Sequence, residues 1–216
     1  MKVSLSRSRL ARSTAVVTAA SLIAAMAVAT PARAGLVLPP RDWCNASTAD
    51  QIWYEINAAE VNPTLTHFMS INIAAGTTGE RTETLTKVNS VSTTIGASVE
   101  ISSSAGAVFA KVSAKVGFSV QSTTASTDTE TTSMRWTFNQ PGYYGLYKGT
   151  RAVSGTFTSF RCVRQNLPPY GPLYTVFGLG TQAYTTFDNI EVGTVRCDED
   201  VPAGTLRFKA RLQLGC

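Results

Sequence analysis

The sequence predicts a mainly β protein: an elongated antiparallel sheet with a long Ser/Thr-rich amphipathic hairpin, after a cleaved signal peptide. Apolar and polar residues alternate at every second position over long stretches, which places successive side chains on opposite faces of a strand. Turn-forming Gly, Pro and Asn clusters separate these stretches. Ser and Thr are unusually abundant over the range 77–137, but the strict alternation there favours strands over a disordered linker.

The N-terminal range 1–34 is predicted to be a secretory signal peptide of bacterial type. A basic stretch without acids precedes an apolar run over residues 14–29, and Pro31-Ala-Arg-Ala34 matches the pattern that signal peptidase accepts. The apolar run is too short for a membrane-spanning helix. We therefore expect cleavage after Ala34 and a secreted, extracellular protein.

The charge balance argues against a nucleic-acid partner. The predicted signal peptide holds five of the Lys and Arg side chains and no Asp or Glu, so the rest of the chain is electrically balanced. A nucleic-acid binder needs a basic face to displace counterions from phosphates. Residues 35–216 have the length of one β-rich domain.

The cysteines predict disulfides rather than a metal site. Cys44, Cys162, Cys197 and Cys216 all follow the signal peptide, and an even number in an oxidising compartment indicates two bonds. Three pairings are possible and the sequence does not decide among them; we favour Cys44–Cys162 with Cys197–Cys216. Closely spaced Cys pairs and several histidines are absent, so no metal or other cofactor is expected.

Several shorter elements are predicted along the chain. Residues 47–59 fit either a short helix or a strand over 52–57, and Pro63 is expected to close this element. Strands are predicted at 134–138, 143–148, 153–164, 173–179 and 190–196. A last strand is predicted after residues 201–204, with Leu206, Phe208, Ala210, Leu212 and Leu214 on one face.

The central prediction is an amphipathic β-hairpin between residues 91 and 120, with a turn at 102–106. Its two arms, at 91–101 and 108–120, reach the ~9–11 residues that a tilted membrane-spanning strand needs. One face is wholly apolar and is expected to meet lipid: Val91, Ile95, Val99, Ile101, Val108, Val112, Val116, Phe118 and Val120. The other face carries all three charges, Glu100, Lys111 and Lys115, and is expected to line a wet lumen.

A single hairpin cannot enter a bilayer, because each backbone group left without a partner in hydrocarbon costs several kcal/mol. Several copies would have to close a ring, with two strands from each. Since ~8 strands form the smallest usual ring, we expect a homo-oligomer of at least about four protomers.

These features resemble one group of secreted proteins. Ile71-Asn-Ile73, Thr82-Glu-Thr-Leu-Thr86, the Ser/Thr-rich hairpin, the return run 122–136 and the Pro-Gly turn at 141–142 occur in the order found in the stem of the aerolysin and epsilon-toxin/mosquitocidal-toxin group of β-pore-forming proteins. The likeness covers about residues 65–164, with the stem-like part at 82–138. It implies an aerolysin-like fold whose hairpin becomes the wall of a pore.

An alternative function is a non-enzymatic binding or adaptor module on the same scaffold. The proline-bearing arm at 35–43, or an exposed strand edge, would dock onto a secreted partner protein by strand addition. Exposed aromatic residues of the second half would bind a cell-surface glycan or protein. They are Tyr143, Tyr144, Tyr147, Tyr170, Tyr174, Phe177, Tyr184 and Phe187.

No enzyme is predicted. His67 is the only histidine, and it lies in a strand-like alternation, so it is a poor candidate for the base of a Ser-His-Asp or Cys-His arrangement. The cysteines are expected to be oxidised, and no phosphate-binding or nucleotide-binding motif is present. We assign no catalytic residue.

Overall fold

A computed structural model describes residues 38–98, 105–129 and 131–216. The predicted signal peptide lies outside them. The described chain is mainly β, with an antiparallel sheet and two helices. The elements are β1 (Ile52–Ile73), β2 (Gly79–Thr84), β3 (Thr86–Lys87), β4 (Thr94–Ile95), α1 (Gly106–Val116), β5 (Ser133–Phe138), β6 (Gly142–Leu167), β7 (Gly171–Phe187), β8 (Glu191–Arg196) and α2 (Leu206–Leu214).

Three long strands form the scaffold. β6 lies at the centre, paired with β1 along one side; along its other side it pairs first with β8 and then with β7. Small strands complete the edges, with β3 on β1 and β4 on β7. β1, β6 and β7 have 22, 26 and 17 residues, far above the usual ~5–6, which confirms the antiparallel sheet.

The strand alternative for residues 52–57 is correct, but the predicted stop at Pro63 is wrong. β1 continues through Pro63, which lies opposite Arg151 of β6. A proline has no N–H to donate to a ladder, so in sheets it is confined largely to edges. Among the described residues, β1 has a second neighbour only at His67 and Phe68, so Pro63 lies at such an edge.

Alternate positions of β6 contact different layers. Tyr144 and Leu146 pack with Trp136 and Phe138 of β5, which forms a separate two-stranded ribbon with β2. Tyr147 packs with α2, whereas Val153 and Phe157 pack with α1. Because strand side chains alternate, these contacts put the β2–β5 ribbon on one face of the sheet and the helices on the other.

The predicted last strand is wrong, because residues 206–214 form helix α2. Thr205 caps its start by accepting a hydrogen bond from the Phe208 amide at 3.1 Å. Gly215 ends it in the left-handed conformation that glycine adopts without a steric penalty. The buried residues Leu206, Ala210 and Leu214 recur at i, i+4 and i+8, a helical spacing.

Both favoured disulfides are present. Cys44–Cys162 ties the segment before β1 to β6, and Cys197–Cys216 ties the end of β8 to the chain terminus after α2. Their presence is consistent with an extracellular protein.

Candidate functional site: the segment between β2 and β5

The segment that contains the predicted hairpin begins and ends at one place. β2 and β5 pair antiparallel from Gly79↔Phe138 to Thr84↔Ser133, and the Leu85 amide donates to the Thr132 carbonyl at 3.0 Å. The two ends of the range 85–132, called here the intervening segment, therefore leave and return side by side. From β3 at the edge of β1, this segment runs to β4 at the edge of β7.

The structure does not contain the hairpin that the sequence predicts. Residues 106–116, most of its second arm, form helix α1, and in the first arm only Thr94 and Ile95 belong to a strand. Val99, Glu100 and Ile101, with the predicted turn at 102–104, lie outside the described residues. A ready-made ribbon of two alternating faces is therefore wrong for this conformation.

The apolar residues of the predicted lipid-facing set instead pack inside the protein. Val108 and Val112 are buried with Ile56, Phe157 and Tyr184 of the sheet. Val116, Phe118, Val120 and Ile95 are partly buried against the same cluster, and Val91 is buried at a second place. Phe109, which the alternating pattern put on the polar face, is fully buried with its ring 6.5 Å from that of Tyr184.

Two lysines of the predicted polar face hold α1 against β1. The Lys111 ammonium lies 3.5 Å from the centroid of the Trp53 ring, a cation–π contact. The Lys115 ammonium donates to the Ile56 carbonyl at 2.6 Å. Burial lowers the pKa of Lys111, and the nearby Glu55 carboxylate partly offsets this effect.

Helix α1 has few of the local features that stabilise a helix. Its N-cap residue, Ala105, makes no side-chain capping bond, and its first turn contains no acid. Val108, Val112 and Val116 are β-branched, which lowers helix propensity and favours strands. Packing against the sheet, rather than local propensity, is therefore the main source of stability for α1.

Charged groups meet beneath both ends of the intervening segment. His67 of β1 is buried and lies opposite Lys87 of β3 and Lys148 of β6. Lys87 forms a 2.8 Å ion pair with Asp128, and the buried Lys148 ammonium donates to the Thr131 carbonyl at 3.0 Å. Burial lowers the pKa of His67, as do Lys148 and Lys87, while Asp128 raises it.

We expect acid to loosen this region through His67. The pKa of His67 is about 6.5 in an unfolded chain and lower in the folded protein, so the unfolded state binds more protons in that window. Stability is therefore lost as the pH falls below ~6.5 and levels off below the folded pKa. The melting temperature of the wild type should fall more steeply with acid than that of His67→Gln between pH 7.5 and 5. Parallel melting profiles would contradict this expectation.

Buried hydroxyl groups complete the interface between the segment and the sheet. The Tyr184 hydroxyl donates to the Ala58 carbonyl at 2.8 Å, and burial raises the pKa of Tyr184 to about 12. The Thr186 hydroxyl donates to the Gln121 carbonyl at 2.7 Å. Sequence reasoning missed these groups, since β7 and the segment are distant along the chain.

Two general findings concern the described residues alone. They contain no group of three or more His, Cys, Asp or Glu side chains arranged to hold a metal ion. No helix within the described ranges is both long enough and apolar enough to cross a membrane. Comparison with protein-family models, with curated proteins and with solved structures gave no match.

Proposed function

We propose that this chain is a secreted, non-enzymatic, aerolysin-like protein that oligomerises and transfers its intervening segment into a target membrane as a β-hairpin. In this proposal the conformation described above is the stored form, in which the sheet covers the apolar side chains. The conversion removes α1 and β4 from the sheet and pairs the two halves of the segment with each other.

The observation that supports this proposal most is the register of β2 with β5. Continued step by step from Thr84↔Ser133, it places Ile95 opposite Ser122, Ala97 opposite Val120 and Ala105 opposite Val112. Directly opposed residues point to the same face of an antiparallel pair. The apolar positions of both arms would therefore share one face, and the lysines would lie on the other.

This register also places apolar residues at the tip of the hairpin. The turn would fall at Val108 and Phe109, so that an aromatic side chain leads the insertion. The sequence alone favours a turn nearer Gly106 instead, because glycine is a common turn residue. The paired root determines the difference, since an earlier turn would leave extra, unpaired residues in the second strand.

One contact of the stored form must change before the hairpin can form. Ser92 and Ser126 form an isolated bridge, which is shifted by one residue from the β2–β5 register. Since a one-residue slip moves every side chain to the opposite face, this bridge would separate the two apolar sets. The shift thus favours the stored form and must be lost on conversion.

A disulfide across β4 and β7 tests the proposal. Thr94 and Thr185 are register partners, and antiparallel partners lie ~4.5–5.5 Å apart at Cα, which suits a disulfide. We expect oxidised Thr94→Cys/Thr185→Cys protein to release dye from lipid vesicles at least about tenfold more slowly than the wild type, because β4 cannot leave β7. A reductant that leaves the native disulfides intact should restore release.

The matched control is a second disulfide at a place that stays paired. Thr84 and Ser133 are partners in both the stored form and the proposed hairpin, so oxidised Thr84→Cys/Ser133→Cys protein should release dye at the wild-type rate. Equal release by both oxidised variants would contradict the conversion. A wild-type protein that releases no dye from any vesicle composition would contradict membrane insertion itself.

A specific observation also favours the adaptor alternative. β4 covers the outer edge of β7 only at Tyr184 and Thr185, and residues 175–183 before them are exposed. Backbone groups along such an edge can accept an added strand from a partner protein. An absence of dye release by the wild type would leave strand addition as the better-supported function.

A further inference from the structure

The hairpin of β6 and β7 projects past the end of β1. β1 pairs with β6 no further than Ile52↔Arg161, and the preceding arm contacts only Cys162 beyond that point, through Asp50 and Gln51. β6 and β7 continue from Arg161↔Phe177 to Leu167↔Gly171. These seven pairs, called here the distal ribbon (residues 161–177), extend about 20 Å at ~3.4 Å per residue.

One face of the distal ribbon exposes apolar side chains. Leu173 lies opposite Gln165, and Phe177 lies opposite Arg161, so both share the face of Leu167. Leu167, Leu173 and Phe177 are 45%, 47% and 61% exposed, and Tyr170 in the turn is 90% exposed. Single exposed apolar residues are ordinary, but a continuous stripe on a projecting hairpin is a feature of binding surfaces.

The distal ribbon carries positive charge without carboxylates of its own. Between Glu130 and Asp188 the chain has no acidic residue and five basic ones. Arg161 and Arg164 belong to the ribbon and are exposed. Neither takes part in an ion pair among the described residues.

We propose that the distal ribbon docks onto the surface of an anionic phospholipid bilayer. Tyr170 and the two leucines enter the interfacial layer, where an aromatic ring with a polar hydroxyl is favoured. Arg164 lies three residues from Leu167, about 10 Å along the strand, so its guanidinium reaches lipid phosphates while the turn is immersed. Because only the ribbon end enters, backbone groups at the turn stay in the hydrated headgroup layer.

This inference adds a second element to the proposed function without depending on it. Docking uses residues 161–177, which lie outside the intervening segment and keep their β-structure. The docked protein would hold the segment close to the bilayer at a raised local concentration.

Vesicle sedimentation tests the docking surface. The probe is vesicles of phosphatidylcholine alone or with phosphatidylserine, and the protein is the chain from residue 35 onward. We expect binding to the phosphatidylserine vesicles to be about tenfold tighter, since each arginine near an anionic surface adds attraction. Tyr170→Ser/Leu173→Ser should weaken that binding about tenfold through the loss of apolar contact, and Arg161→Gln/Arg164→Gln should abolish the lipid preference.

The control is Leu212→Ser, which removes an equally exposed apolar residue from α2 and should bind as the wild type does. Equal binding to both vesicle types, or unchanged binding by the ribbon variants, would overturn the proposal. So would a solution dimer that the ribbon substitutions dissociate while vesicle binding stays unchanged, because the surface would then join two copies. Sedimentation is read without dye release, so binding without leakage supports docking and contradicts only the proposed insertion.

Discussion

Replacing both Cys44 and Cys162 with serine is expected to lower the free energy of unfolding by about 5 kcal/mol, by the loop-closure entropy of the unfolded chain. The bond joins residues 118 positions apart, so its loss frees most of the unfolded domain. It also releases the arm that places the Trp43 ring 5.8 Å from that of Trp53. Urea titration of the oxidised proteins measures the loss.

The other disulfide provides the matched comparison. Cys197 and Cys216 are 19 positions apart, and the same entropy relation gives about 3 kcal/mol for the double serine variant. The two variants should therefore differ in melting temperature by several degrees, since ~1 kcal/mol corresponds to ~2–4 °C in a domain of this size. Equal losses, or a larger loss for the short loop, would contradict this reasoning.

The second large effect is expected at Gly155, where β6 passes β1 most closely. A Cβ atom there would lie 1.9 Å from the Ala58 carbonyl oxygen and 2.9 Å from the Tyr184 hydroxyl. The added methyl must displace β1 or break the hydrogen bond from Tyr184 to Ala58. We expect Gly155→Ala to cost about 3 kcal/mol or more, a large value for one methyl group.

Gly178 is the control for this substitution, since it also lies in a strand of the sheet. A Cβ atom there meets only the Phe160 ring, at 4.0 Å. Thermal and urea unfolding of Gly178→Ala should agree with the wild type within about 0.5 kcal/mol. A Gly155→Ala protein as stable as Gly178→Ala would show that β1 and β6 can separate at this point without a penalty.

The strands were predictable wherever alternation ran through turn signals. β8 and the strands within β5, β6 and β7 fall where the sequence placed them. The great length of β1 and β6 was not predictable, because local pattern does not show whether a partner strand continues alongside. Pro63 illustrates this limit: it reads as a stop, yet a free edge accepts it.

Both helices were missed for the same physical reason. A nine-residue alternating run also contains residues at i, i+4 and i+8, so it satisfies a helical stripe as well as a strand face. In α2 the structure buries Leu206, Ala210 and Leu214 and leaves Leu212 59% exposed. Thr205 and Gly215 could have identified this helix as its start and stop signals.

The candidate site was only partly predictable. The sequence singled out Lys111, Lys115 and the valines around them, and the structure gathers those of the described residues into contact with the sheet. It could not show that Trp53 and Ile56 would receive the two lysines, because these pairs are distant in sequence. Nor could it show the β2–β5 register, on which the proposed hairpin depends.

Pro63 has a further consequence for how copies of this chain meet. A strand as long as β1 with an open side would ordinarily invite stacking into fibrils. The missing N–H of Pro63 interrupts that side near its middle, and Glu60 adds a carboxylate three residues away. Two such strands laid edge to edge would lose a hydrogen bond and oppose like charges, so β1 discourages runaway polymerisation and leaves ordered assembly to other surfaces.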